Sequence, residues 1–240
     1  MIIYHSRRFI FVHIHKAGGT SVELGLEPFL AWCDLLLGSS EIGERMSSHY
    51  DARFGLGKHG SIADIERVCG EKICRDYHVF ATVRHPLERL CSLYNYIGSI
   101  VHAWAQRWRI APGEVASRLA QGAPSEAPSL NWPASRVFLG TADFSAFIRS
   151  AELAADPGFL TQASRLRSSK AADIRVRALR LEESAAWLPR MRKTLGVEFA
   201  LPHSNKSRLK LVTGAEVSAA DREFVAARFA EDYAVFGYQP

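Results

Sequence analysis

Phe9-Ile10-Phe11-Val12-His13-Ile14-His15-Lys16-Ala17-Gly18-Gly19-Thr20-Ser21-Val22-Glu23 passes from an apolar run through a glycine turn to a helix start rich in hydroxyls. Phe9 to Ile14 has the length of a buried strand, and Thr20 to Leu26 reads as a helix whose Thr20-x-x-Glu23 pattern is a capping box. Strand, glycine turn and helix in this order build a seat for a phosphate. A helix start has unpaired backbone N–H groups and the positive end of the helix dipole, and an anion placed there satisfies both. Gly18 and Gly19 allow close approach of the backbone, Thr20 and Ser21 bring hydroxyls, and Lys16 adds a full positive charge. The lysine precedes the glycines, so the order is not that of a G-x-x-x-x-G-K-[ST] loop.

Further along, residues 38 to 60 are rich in Gly, Ser and His and weakly periodic, which predicts a long excursion over the surface. Ser61-x-x-Asp64 then opens a helix. Tyr77 to Val83 is a second apolar strand, and Pro86 suits the first turn of a helix running through Tyr94 and beyond. Gly122 to Pro133 reads as a loop, and Phe144 to Ser150 and Gly158 to Arg167 as short helices. Ile174 to Leu181 alternates as a strand with one wet face, with a helix as the alternative. Glu183 to Leu195 is a helix ended by Gly196, and Ser218-x-x-Asp221 caps a final helix ending near Tyr233. Recurring strand, helix and strand predict a parallel sheet with helices on its faces, and the ligand beyond the carboxyl ends of the strands. Lys16 and Arg84 each follow an apolar strand and occupy that place.

The composition narrows the classes. In 240 residues, 30 Lys and Arg against 25 Asp and Glu give a net charge of +5, suited to an anionic ligand but without the dense basic run of a nucleic-acid binder. Cys33, Cys69, Cys74 and Cys91 form no CxxC pair and have no histidine at zinc-like spacing, so free thiols are expected. Met1 to Tyr4 leads directly into the first strand with no leader pattern, and no apolar run approaches the roughly 20 residues of a membrane span. The expectation is one domain over residues 1–240, cytoplasmic, with no stable membrane insertion.

The second constellation is Val83-Arg84-His85-Pro86-Leu87-Glu88-Arg89-Leu90-Cys91-Ser92-Leu93-Tyr94-Asn95. An arginine at a strand end and a serine on the following helix can bracket another phosphate, the guanidinium fork matching its oxygens. Taken together the two segments resemble the signatures of sulfotransferases that use 3′-phosphoadenosine 5′-phosphosulfate (PAPS), in particular the carbohydrate type that includes uronyl 2-O-sulfotransferases and many bacterial relatives. The likeness continues weakly in Leu181-Glu182, Leu195-Gly196, Leu201 to Ser207 and Phe236-Gly237-Tyr238, and diverges between residues 98 and 175. Two departures stand in the first loop, His15 for a usual proline and Ala17 for a usual threonine.

The resemblance implies an α/β chain with a three-layer, P-loop-like fold whose central, mostly parallel sheet is flanked by helices. It implies that Lys16, Ala17, Gly18, Gly19, Thr20 and Ser21 hold the 5′-phosphosulfate, and that Arg84 and Ser92 hold the 3′-phosphate. Lys206, Ser207 and Arg208 close over the phosphates, or form an ordinary loop. His59, between the two motifs, is the implied base toward an acceptor hydroxyl, with His49, His78 and His85 as rivals, while His13 reads as a packed strand residue. Lys16 stabilises the leaving phosphate oxygen. PAPS is the implied donor and adenosine 3′,5′-bisphosphate the product, with no metal, no nucleic acid, and a carbohydrate or other small molecule as acceptor. Trp104 and Trp108, four apart, read as core, with stacking against an acceptor as the alternative that they share with Trp132. A nucleotide-dependent kinase or NTPase, and a protein that binds PAPS or its product without turnover, are the rival readings.

Overall fold

Alternation along Phe9–Val12 sends Phe9 and Phe11 to one face of a sheet and Ile10 and Val12 to the other, all four fully buried. In the computed structural model, which describes residues 1–122, 127–169, 174–202 and 209–240, this segment is the centre of a five-stranded sheet. The strands are β1 Ile2–Tyr4, β2 Phe9–Val12, β3 Leu35–Leu36, β4 His78–Val83 and β5 Val176–Arg180, in the order β3-β1-β2-β4-β5. The helices are α1 Gly19–Leu26, α2 Glu41–Phe54, α3 Ile62–Cys69, α4 Glu71–Asp76, α5 Pro86–Trp108, α6 Val115–Ala120, α7 Pro133–Gly140 and α8 Phe144–Arg149. They continue as α9 Gln162–Arg165, α10 Ser184–Leu195, α11 Ala219–Arg228 and α12 Ala230–Phe236. The chain divides into two compact units, residues 1–85, 161–206 and 231–239 in the first, and 86–160, 207–230 and 240 in the second.

The first unit holds the whole sheet, with apolar clusters on both faces. On one face Val22 and Leu26 of α1 and Trp187, Met191 and Leu195 of α10 pack on Phe9, Phe11, Phe80 and Leu179. On the other, Ile62 and Ile65 of α3, with Leu56, cover Ile10, Val12, Val79 and Ala81. The sheet is mixed, not mostly parallel. Strands β2, β4 and β5 run parallel, whereas β1 pairs antiparallel with both β2 and β3. Met1 to Tyr4, expected merely to lead into a strand, is itself one, because the turn His5–Arg7 and the left-handed Arg8 return the chain at once, and so short a connection joins only antiparallel strands.

A second correction concerns residues 38 to 60, which contain the 14-residue helix α2. Its only large apolar residues are Ile42, Met46, Tyr50 and Phe54, strictly four apart, a stripe too thin to stand out among the polar residues. The Ser61-Asp64 capping box, the helix start at Pro86, strand β5, and the end of α10 at the left-handed Gly196 stand as the sequence predicts. Gly158 to Arg167 breaks into a 3-10 turn over Pro157–Phe159 and the short α9, each capped by its own side chain, Asp156 and Thr161. The final helix is two, α11 and α12.

In the second unit, α5 carries the packing. Its Arg89 is buried and donates to the carbonyls of Gly158 and Leu160, both at 2.7 Å, while Asn95 binds the backbone of Leu211 and Val212. Trp104 and Trp108 are half-buried and pack against the cluster of Val101, Ala105, Val115 and Leu130, a packing role as expected. Trp132 is exposed. The four cysteines are free thiols, and among the described residues no helix is long and apolar enough to cross a membrane.

Asp232, fully buried in α12, accepts from the backbone N–H groups of Gln162 and Ala163, both at 2.9 Å. Replacing it with alanine leaves those two donors buried without this acceptor, and the expected cost is about 2–4 kcal/mol. A urea unfolding curve checks this, and an unchanged midpoint would refute the role given to Asp232.

Candidate functional site

Strands β2, β4 and β5 are parallel, so the segments leaving them, His13 to Gly18, Arg84-His85 and Leu181-Glu182, belong to the same edge of the sheet. In the first of these the backbone is unusual. Lys16 is left-handed at φ 61°, a conformation that costs a non-glycine residue about 1–2 kcal/mol, and Gly18 follows at φ 81° as the N-cap of α1. Gly19 has no room for a side chain, since a Cβ there would lie 2.2 Å from the His13 ring. Among the described residues no side chain caps α1, which leaves the positive end of the helix open to an anion.

The predicted capping box at Thr20 does not form, because the helix begins one residue earlier and Glu23 is used elsewhere. Its carboxylate is fully buried and accepts from the α-amino group of Met1, from His13 Nδ1–H at 2.8 Å and from the Ser39 hydroxyl. His13 is thus the structural residue expected, although its carbonyl has a further duty. It accepts from Nδ1–H of His59 at 3.0 Å. That bond assigns the proton to Nδ1 and leaves the lone pair on Nε2.

His59 sits on a tight turn, Gly60 N–H to the Gly57 carbonyl at 3.0 Å, immediately before the cap of α3. The turn is tied down on both sides. Lys58 N–H binds the Ser47 hydroxyl at 2.7 Å, the Lys58 ammonium pairs with Glu44 at 2.6 Å, and Arg165 donates to the His59 carbonyl. Three histidines meet here, with the His59 ring flat against His15 and edge-on to His13.

The electrostatics of this region are cationic. Burial, and then the charges of Arg84 and Lys58, lower Lys16 to about 8. Burial outweighs the His13 hydrogen bond at His59 and, with the charges of the Met1 amine, Lys58 and Arg165, lowers it to about 3. His13 is likewise pushed well below the ordinary histidine range by burial and the neighbouring His59. Both imidazoles are therefore neutral at physiological pH.

Arg84 is placed by a residue that the sequence does not flag. The amide of Gln162 binds it twice, accepting from Arg84 N–H at 2.9 Å and donating to the Arg84 carbonyl at 2.8 Å, and Asp232 holds Gln162 in turn. Next to it, Glu182 accepts from His85 N–H at 2.8 Å and from the Tyr238 hydroxyl at 2.9 Å, and His85 Nε2–H reaches the Gln239 carbonyl at 3.0 Å. The Leu181-Glu182 and Phe236 to Tyr238 segments thus have a shared physical task, fixing the end of β4. A buried amide that reaches the motif from 78 residues along the chain has no local sequence signal.

Lys16, Ala17, Gly18, Gly19, Thr20, Ser21, His59 and Arg84 all fall in the first unit. Ser92 is half-buried on α5 in the second. Lys206, Ser207 and Arg208 lie outside the described residues. Of the rival histidines, His49 lies on α2, His78 begins β4 at the opposite end of that strand from Arg84, and His85 is engaged with Gln239. Comparison with family models, with curated proteins and with solved structures finds no match.

The depressed histidines make stability fall in acid. Below the ordinary histidine pKa of about 6.5, the unfolded chain binds protons that folded His59 refuses until about pH 3. Between about pH 7 and pH 5 this costs on the order of 2 kcal/mol for His59 alone. Urea unfolding at the two pH values, for the wild type and His59→Gln, checks this: the substitution flattens the pH dependence, and equal slopes would disprove the burial of a neutral His59.

Proposed function

We propose that this chain is a PAPS-dependent sulfotransferase of the carbohydrate type, built on a P-loop-like fold and acting on an acceptor hydroxyl. The observation that carries the reading is the company of the uncapped α1 start. Lys16, Arg84 and a histidine with a defined Nε2 lone pair all belong to the unit that holds this helix, at or beside the loops leaving the parallel strands. The strained Lys16 backbone supports it, since strain of this kind persists where it serves a site.

The residues suit the donor. The Lys16 to Ser21 loop offers backbone N–H groups, two hydroxyls and an ammonium to the 5′-phosphosulfate, and the Arg84 guanidinium suits the 3′-phosphate. PAPS supplies an activated sulfuryl group when bound. Lys16, lowered to about 8 but still charged at neutral pH, stabilises negative charge growing on the bridging oxygen. His59 receives the acceptor hydroxyl's proton on Nε2. In the empty site it is a weak base because of burial and nearby cations, and an anion in the loop offsets those cations and raises its basicity.

The low basicity of His59 favours a second reading, a protein that holds PAPS or its product without turnover. Two experiments decide. Calorimetry should find adenosine 3′,5′-bisphosphate bound at least about 10-fold more tightly than AMP. Its affinity should weaken above about pH 8, by up to 10-fold per unit, as Lys16 loses its proton. Tighter binding of ATP with magnesium overturns the donor assignment. With labelled PAPS and a panel of hydroxyl acceptors, His59→Ala should lower kcat by about 10²- to 10⁴-fold while bisphosphate affinity holds. Bisphosphate binding with no transfer to any acceptor selects the second reading.

A further inference from the structure

We propose that His15 is a positioning residue for His59, fixing the plane of its imidazole by flat stacking; this rests on the reading of His59 as the base. The two rings lie 3.5 Å apart between centroids with 24° between planes, and among the described ring pairs this is the stacked one, the others being tilted or edge-on.

A single hydrogen bond leaves an imidazole free to swing. The terminal torsion of a histidine is broad, and the bond from Nδ1–H to the His13 carbonyl constrains one atom of the ring. The His13 ring adds an edge contact at 4.6 Å and 70°, which limits sliding but not rotation out of plane. A ring lying flat on His59 supplies the missing restraint, because rotation then drives the edge of one ring into the face of the other. The remaining alternative, a half-turn flip, breaks the bond to the His13 carbonyl. Hydrogen bond and stack together therefore select one orientation, with the proton on Nδ1 and the lone pair on Nε2.

The support is itself anchored. His13 and His15 stand two residues apart on the chain leaving β2, and meet His59 at its edge and its face. His13 is held by Glu23, and the left-handed Lys16 follows His15 directly, so the same loop that forms the anion seat carries the platform under the base. Donor loop and base are thereby built as one piece, which sets the base relative to whatever the loop holds.

The test compares His15→Ala and His15→Phe with the wild type by nitrogen NMR of the histidine rings at neutral pH. The wild type should show His59 as the single Nδ1–H tautomer, His15→Ala a mixture of tautomers, and His15→Phe, which keeps a flat face, the wild-type pattern. In the labelled-donor assay His15→Ala should lower kcat about 10-fold with donor KM unchanged, and His15→Phe should recover it. An unchanged tautomer in His15→Ala overturns the proposal, as does His15→Phe behaving like His15→Ala. Thermal unfolding of each variant confirms that it is folded when the rings are read. Failure of the donor reading shows instead as absent bisphosphate binding in the wild type, and the ring measurement then decides the part played by His15.

Discussion

One buried carboxylate organises the first unit. Glu23, on the inner side of α1, gathers the Met1 amine, the His13 ring and the Ser39 hydroxyl in a place without solvent. A carboxyl group so placed is costly unless its oxygens are fully engaged, and removing one partner of such a cluster costs several kcal/mol. The cluster therefore joins the start of β1, the end of β2, α1 and the turn before α2. His13, once fixed, presents its carbonyl to His59, so the orientation of that imidazole descends from a carboxylate it does not touch.

The same carboxylate accounts for the open start of α1. A Glu three residues after Thr20 has the right spacing to reach back and cap the helix, and local rules alone send it there. Here three long-range partners outbid one local one, the helix begins at Gly19, and its first turn has no side-chain cap. A helix end without a cap inside a folded unit is a structural debt unless a ligand or water meets it. The two glycines belong to this arrangement. Gly18 takes the left-handed conformation, and Gly19 yields its side-chain space to His13.

What could be read in the sequence was what is local. β4, the helix start at Pro86 and the Ser61 cap are each decided by neighbours within a few residues, and each stands where expected, whereas the cap expected at Thr20 yields to the long-range partners of Glu23. β1 and β3, three and two residues long, carry too little pattern to register, and without them the sheet reads as parallel. α2 hides its thin apolar stripe, and with it the Lys58–Glu44 pair and the support beneath His59. Gln162 acts on Arg84 from 78 residues away, and Asp232 acts on Gln162 from a further 70, by hydrogen bonds that any glutamine or aspartate can make, so nothing in their own surroundings announces them. The His15 stack was invisible for the same reason, since the turn that carries His59 lies far along the chain.

Burial first, and then an overlapping set of charges, lowers both Lys16 and His59. Lys58 bears on both, Arg84 on the first, and the Met1 amine and Arg165 on the second. Such crowding is unfavourable in the empty protein and favours any anion that enters. On the proposed reading its effect is also conditional: an anion held by Lys16 simultaneously makes it easier for His59 to take a proton. Linkage makes this reciprocal, so protonation of His59 must tighten the hold on the anion by the same factor. The base is then weakest when the loop is empty, where a strong base has nothing to do, and strengthens only when the charge that it needs to counterbalance is in place.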